Sequence, residues 1–369
     1  MSVERQVVFW ALVLGAFGFA LHLLGSTVTP FAAGIALGYL LDPLVGRLER
    51  LGLNRLGAAL IILVAFATAF ALALIVVAPI LINELIAFVQ KFPGYAVKLQ
   101  ALALEEGATL SKKYLGGWID TLGLRAQFSP DQIQKSLGDF VSQGATWLIN
   151  ALQGLVSGGA AVFGFFSLLV ITPVVAFYIL IDWERMLAAI DGWLPLDHRD
   201  HLRKIAREID HALAGFIRGQ SLVCLFDALW YGIGLTLIGL DFGFLIGVIA
   251  GFLSFIPYVG SLVALVLSIA VSLVQGWPSL KLFFLALAVM VSGQFLEGNV
   301  ISPNLVGGSV GLHPVWLMFA LLAFGQLFGF VGLVVAVPAA AVIGVIVRHL
   351  IGLYRASPFY LGRAAEERT

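Results

Sequence analysis

The sequence predicts an all-α integral membrane protein of about eight transmembrane helices, some broken by proline or glycine or folded into re-entrant hairpins, with a small extramembrane helical domain. Three observations carry this prediction. Of 369 residues, 60% are hydrophobic and 11% charged, against about 45–50% and about 25% in a soluble domain. Mean hydropathy is +1.02. The apolar runs are continuous rather than alternating, which favours helices over a barrel.

Residues 1–82 hold the first three predicted helices. The run at 7–24 is longer than a signal-peptide core of about 7–15 residues, and no small-x-small cleavage site follows, so it reads as a retained span. The second, at 28–41, is short and begins at Pro30; the third, at 56–82, carries no charge. Residues 83–139 turn mixed polar and charged, and read as an extracytoplasmic helical domain. Within it Leu85, Phe88, Val89 and Phe92 recur at helical spacing, and Ser129 before Pro130 is an N-cap followed by a first-turn proline. Residues 140–181 are free of charge and supply the fourth helix, with Thr172 and Pro173 as a candidate hinge. Residues 182–218 read as a cytoplasmic amphipathic helix whose apolar stripe is Leu202, Ile205, Ile209, Leu213 and Phe216. Residues 219–347 form a C-terminal transmembrane core with segments at 220–240, 242–274, 280–296 and 315–347. Residues 348–369 are a cytoplasmic tail.

Orientation follows from basic residues in short loops. Arg47, Arg50 and Arg55 fall in one loop, Arg185, Arg199, Arg203, Lys204, Arg207 and Arg218 in another, and Arg348, Arg355, Arg363 and Arg368 in the tail. This places both termini in the cytoplasm and the chain in the cell (inner) membrane, with an even number of crossings. The polar 83–139 stretch has six basic residues, but long segments cross largely regardless of charge.

Several functional classes are disfavoured. Net charge is zero, so there is no basic footprint for nucleic acid. One cysteine, Cys224, rules out an internal disulfide or a cysteine metal cluster and reads as a buried thiol. His198, His201 and His211 lack a matching acid for a zinc motif, and His313 reads as a turn or packing residue. No G-x-x-x-x-G-K-[ST] loop is present. "GGSVG" at 307–311 matches a nucleophile elbow in letters only, since that motif needs a strand–turn–helix setting. No catalytic residue, metal or cofactor is expected, and the protein is not expected to be an enzyme.

The last third is interrupted at membrane depth. "GVIAGFLSFIPYVGSLVAL" holds Gly247, Gly251, Pro257 and Gly260; "GQLFGFVGLVVAVPAAA" holds Gly325, Gly329, Gly332 and Pro338. Irregular backbone in a bilayer is tolerated only where protein or water satisfies it, and paired interrupted segments point to a transporter's solute site. Pro257, Gly260, Pro303 and Pro338 are therefore candidate breaks. Small-xxx-small pairs such as Gly34/Gly38 and Gly247/Gly251 have a plainer reading as close helix packing.

Residues 219–347 contain four charged residues, Asp227, Asp241, Lys281 and Glu297. An ionised side chain at a helix centre costs about 2.5–3.5 kcal/mol on insertion scales and is a functional candidate by default. Glu297 shares a helix face with Gln294, and Asn299, Ser302 and Asn304 follow around Pro303. Together they are candidate ligands for a polar solute or cation, and the Glu297 carboxyl is able to carry a proton. The competing reading places Glu297 at a helix end in the headgroup layer. Asp227, two turns after Gln220, is a second candidate polar site or another headgroup-level residue. Asp241 reads as part of an external turn and Lys281 as a snorkelling anchor.

Four stretches together resemble the autoinducer-2 exporter (AI-2E) family: "TPVVAFYILIDWERM" (172–186), "GFLSFIPYVGSLVA" (251–264), "QFLEGNVISPNLVGGSVGLHPV" (294–315) and "GFVGLVVAVPAAAVIGVIVR" (329–348). The resemblance covers nearly the whole chain and extends to PerM-type permeases. It implies an all-helical, eight-span transporter with membrane-embedded hairpins that assembles as a homo-oligomer. It also implies export of a small polar solute like autoinducer-2, or sodium- or lithium-proton antiport, without choosing between them. The expected mechanism is alternating access, with a solute path around Pro257, Pro303 and Pro338 and Glu297 binding the coupling cation or a solute hydroxyl. The expected partners are that solute, Na+ or H+, the lipid bilayer and further copies of the chain. The rival of another class is a membrane scaffold that transports nothing.

Overall fold

A computed structural model describes residues 25–110, 159–196, 199–305, 312–357 and 360. The helices are α1 (Gly25–Arg50), α2 (Arg55–Leu110), α3 (Gly159–Gly192), α4 (Arg199–Leu237), α5 (Gly243–Leu253), α6 (Val259–Gly276), α7 (Lys281–Leu296), α8 (Ser302–Leu305) and α9 (Pro314–Ala356). There is no strand among the described residues. Among the described residues seven helical stretches are long and apolar enough to cross a membrane, and α5 is a shorter apolar helix. The predicted first span, at 7–24, lies outside the described residues, as does 111–139 of the predicted extracytoplasmic domain.

α2 continues where the sequence turns polar. It runs 56 residues, far beyond the roughly 20 that cross a bilayer core. Its apolar side chains stay outward: Val64, Ile75 and Val76 are each more than 60% exposed, as a lipid-facing surface requires. Likewise the amphipathic stripe at 202–216 is no separate helix. It is the first half of α4, which runs on to Leu237.

The chain divides into two compact units. The first comprises Met1–Ala69, Gly164–Leu222 and Val300–Thr369. Here Leu41, Val45, Ala58, Ala59 and Leu180 form a buried core. α1 and α3 approach closely because Gly34 and Gly38 lack side chains: a Cβ on Gly34 would lie 2.6 Å from Val175 Cβ, and one on Gly38 2.8 Å from Ile179 Cγ2. The Thr172 hydroxyl donates to Pro30 O at 3.4 Å beside this crossing. Pro173 sits inside α3. Arg55 joins three helices. Its Nε donates to Leu180 O at 2.7 Å, and its guanidinium lies 3.4–3.6 Å from Asp42, Glu49 and Glu184.

α9 is a hairpin rather than a rod. Gly329 has φ 60° and ψ −139°, a region that strains any residue with a Cβ. The chain reverses there. A Cβ on Gly332 would collide with Phe324 O, one on Gly325 would sit 2.9 Å from Leu333, and one on Gly344 would sit 2.8 Å from Leu312. In a straight helix, residues eight apart are separated by about 12 Å, so these pairs meet only if the arms 314–328 and 330–356 lie antiparallel. The expected break at Pro338 is therefore displaced: Pro338 lies within the second arm, and the reversal falls at Gly329. The ring fixes φ near about −65°, so proline cannot take the positive φ that the reversal requires. Gly329→Ala should lower stability by about 1–3 kcal/mol, read as a drop in the melting temperature of the detergent-purified protein; an unchanged melt would contradict the hairpin.

The second unit comprises Phe70–Phe163 and Val223–Asn299. Its core joins Tyr231, Leu235, Leu240, Phe242, Leu245, Ile246 and Met290, with Leu85 and Phe88 of α2 packed against it. α5 and α6 form a second hairpin through the turn 254–258, which contains Pro257. Gly260 is required there, because a Cβ would strike Ser254 Oγ and Ala250 O. Phe242 gives α5 no side-chain cap, and Glu84 supplies one, its carboxylate accepting from Leu245 N at 2.7 Å, where a helix start favours negative charge. The turn before α5 is held at Asp241, which accepts from Lys91 (2.8 Å) and Tyr95 (2.7 Å). Burial pushes the Asp241 carboxyl up, but these two bonds and the Lys91 charge outweigh it and hold the group below the usual carboxylate range.

Candidate functional site

The site in the second unit is set by a ladder of small residues. Gly243, Gly247 and Gly251 recur every fourth position on α5 and therefore share one face. A Cβ on Gly243 would lie 2.7 Å from Leu235 C, one on Gly247 would strike the Gly232 backbone, and one on Gly251 would lie 2.6 Å from Ala228 N and Cys224 O. α5 thus lies backbone to backbone along α4, the packing that small residues permit in membranes. Ser254 follows Gly251 on the same face, and Asp227 precedes Ala228. The ladder's register therefore brings the Ser254 hydroxyl onto Asp227, to which it donates at 2.6 Å.

Asp227 is fully buried, and so is Tyr231 one turn later. The other Asp227 oxygen, Oδ1, and the Tyr231 hydroxyl have no hydrogen-bond partner among the described residues. Buried polar atoms in that condition are uncommon and call for an explanation. α7 closes over the same spot. Gly293 is buried against Tyr231 and Trp230: a Cβ there would lie 2.5 Å from the tyrosine ring and 2.7 Å from the indole. The Trp230 indole N–H donates to Val289 O at 3.3 Å. Glu297 is one turn beyond Gly293, half-buried, and accepts from Gln294 Nε2 at 3.2 Å. It is near enough to Asp227 for the two carboxylates to act on each other's charge. No basic side chain among the described residues acts on either one.

The backbone at Glu297 is itself unusual. Residues Glu297–Ile301 form a π-helical turn between α7 and α8. A proline ring clashes with the carbonyl four residues earlier, which for Pro303 is that of Asn299. The widened turn contains that position, so Pro303 is absorbed rather than ending the helix. Such turns recur at functional sites.

Of the candidate residues, the structure brings Asp227, Glu297 and Gln294 together. Asn299 and Asn304 are exposed, and their amides donate to their own helix, to Phe295 O (3.0 Å) and Val300 O (2.6 Å). Ser302 is half-buried and Gln220 is buried, both in the first unit. Sequence reasoning missed Ser254 and the unpartnered Tyr231 hydroxyl as members of the site. The signal for Ser254 was present, three residues beyond Gly251 on the glycine face.

What this arrangement does chemically follows from charge. A carboxylate in surroundings of low dielectric with no cation beside it is costly to ionise, and a second carboxylate within reach of its charge adds to that cost. A proton or a monovalent cation bound there lowers that cost. Asp227 Oδ1 and Tyr231 OH, unpartnered among the described residues, could engage it together with Glu297, which holds Gln294.

Comparison with known proteins adds the lineage. The family model described as AI-2E family transporter matches residues 8–352. The chain is 30% identical over 322 residues to YrrI of Bacillus subtilis, named as a candidate transport protein, covering 87% of this chain and 86% of that one. It is 29% identical over 352 residues to PerM of Escherichia coli K12, named as a candidate permease, covering 94% and 93%.

Proposed function

Since the chain belongs to the AI-2E transporter family, we propose that it exports a small polar solute of the autoinducer-2 kind by alternating access, driven by a proton or monovalent cation taken up at Asp227 and Glu297. The observation that carries this reading is the buried Asp227 carboxylate with the half-buried Glu297 near it and no basic partner among the described residues, beside the unpartnered Tyr231 hydroxyl. In this reading the multipass chain resides in the cell inner membrane with cytoplasmic termini, works as a homo-oligomer, and performs no covalent chemistry. The α5–α6 hairpin, with its turn at Pro257, supports a moving element, because discontinuous helices commonly frame a transporter's binding site.

A second reading is favoured by the same pair: exchange of Na+ or Li+ for H+ with no organic solute. Proteoliposomes containing a pH-sensitive dye separate the two. If the protein is a solute exporter, proton movement appears only when a transported solute from a polar panel is present. Proton movement on adding Na+ or Li+ alone assigns the antiport reading. No flux of solute, cation or proton above empty vesicles would overturn both.

A further inference from the structure

The first unit contains a second cluster of charge that the transport reading leaves unused. On α4, His201, Lys204, Arg207, Glu208 and His211 recur at three- and four-residue spacing and share one face. The second arm of α9 docks on that face. His349 meets His201 edge to face at 5.2 Å, and its Nε2 lies 3.0 Å from Glu208 Oε2. Beside this contact Lys204, Arg207, Glu208, His211, Ala212 and Arg348 line an open groove of about 330 Å³, at the lower end of the about 300–1,000 Å³ of small-molecule sites.

Its charge is one-sided. Three permanent cations face it, and the one carboxylate, Glu208, is engaged by His349. Nearby arginines are committed elsewhere. Arg199 and Arg203 both hold Asp191, and Arg218 donates to Tyr39 O at 2.8 Å and faces Asp42. By contrast, Lys204 and Arg207 have no carboxylate partner among the described residues; Arg207 Nε donates at 3.3 Å to the Arg203 carbonyl of its own helix. Two guanidinium groups from different helices and an ammonium are the donor set that matches phosphate oxygens. One turn from Arg348 on its own helix face, Ile351 is 45% exposed.

We propose that this cavity binds a phosphate-bearing anion, held between α4 and the second arm of α9. The chemistry suits two sources, the headgroup of an anionic phospholipid or free inorganic phosphate. Basic pockets between membrane helices hold acidic headgroups in this way. An anion bound only by the folded protein raises its stability.

The test is thermal unfolding of the full chain in detergent, with phosphatidylglycerol, phosphatidylcholine, inorganic phosphate, or sodium chloride at matched ionic strength. The melting temperature should rise with phosphatidylglycerol or with phosphate, but not with phosphatidylcholine or chloride. The double variant R207Q/R348Q should need about tenfold or more of the same anion. R185Q, at an exposed arginine of α3 outside the cavity, should respond as the parent does. The general stabilisation that phosphate gives folded proteins is common to all of them, so the difference between variants reports the site. A response to phosphatidylglycerol alone assigns the headgroup; a response to phosphate alone assigns the soluble anion. If the double variant does not fold, K204Q, which breaks no ion pair, should still weaken the response about threefold or more. No response to either anion, or an equal response in these variants and the parent, would overturn the proposal.

Discussion

Glu297→Gln should yield a protein that expresses, assembles and melts like the parent, yet moves solute or cation no faster than empty vesicles. Glutamine keeps the size of the side chain and its hydrogen bond with Gln294, now 3.2 Å from the carboxylate. It removes the charge that faces Asp227, and with it the reason for a proton or cation to bind between the two. The helix turn at 297–301 is formed by backbone and should survive the change. Asp227→Asn should have the same effect on transport, with some added cost to stability, because the new amide N–H in a fully buried position needs an acceptor of its own. The measurement is flux in proteoliposomes at matched protein content, with gel filtration to show intact assembly. Full flux in Glu297→Gln would remove Glu297 from the mechanism and leave it as a helix-end residue.

The largest effect on folding is expected at Gly247. A single added methyl there would overlap the backbone of Gly232 and lie 2.7 Å from Tyr231 C. Backbone cannot rotate aside as a side chain can, so α5 must move off α4. Overpacking of this kind costs about 1–3 kcal/mol and sometimes more. Here it also separates Ser254 from Asp227, whose hydrogen bond depends on the same register. Gly247→Ala should therefore lower the melting temperature and reduce transport together. Gly46→Ala is the matched control, since nothing lies within 4 Å of a Cβ there and alanine suits a helix interior better than glycine. Equal melting of Gly247→Ala and the parent would show that the helices are not in contact along the glycine face.

Membership of the membrane class and the approximate positions of the described helices were readable from apolar runs alone, because insertion depends on summed hydropathy. The turn at Pro257 and the close packing at Gly34/Gly38 and Gly247/Gly251 were also legible, as local backbone effects. The end of α2 was not. Polar composition after residue 82 marks where a chain leaves apolar surroundings, but charged residues are good helix formers, and the helix continues to Leu110. The position of the reversal in α9 was hidden by choice: Gly325, Gly329, Gly332 and Pro338 were all plausible, and only fold-back contacts between distant residues select Gly329. The same holds at the site. Glu297 stood out as a lone acid, whereas its relation to Asp227, Ser254 and Tyr231 depends on how three helices meet. Asn299 and Asn304 had the right composition for ligands, yet their amides satisfy nearby carbonyls of their own helix.

The reversal at Gly329 has a consequence for sidedness. A straight α9 would deliver the chain after it to the opposite face of the membrane, whereas two antiparallel arms return it to the face it left. The α5–α6 pair does the same for the segment that precedes α7. Each hairpin therefore changes the parity of crossings by one relative to a single span in its place, and two such changes cancel. Two locally broken helices thus leave the number of crossings even or odd as two unbroken ones would.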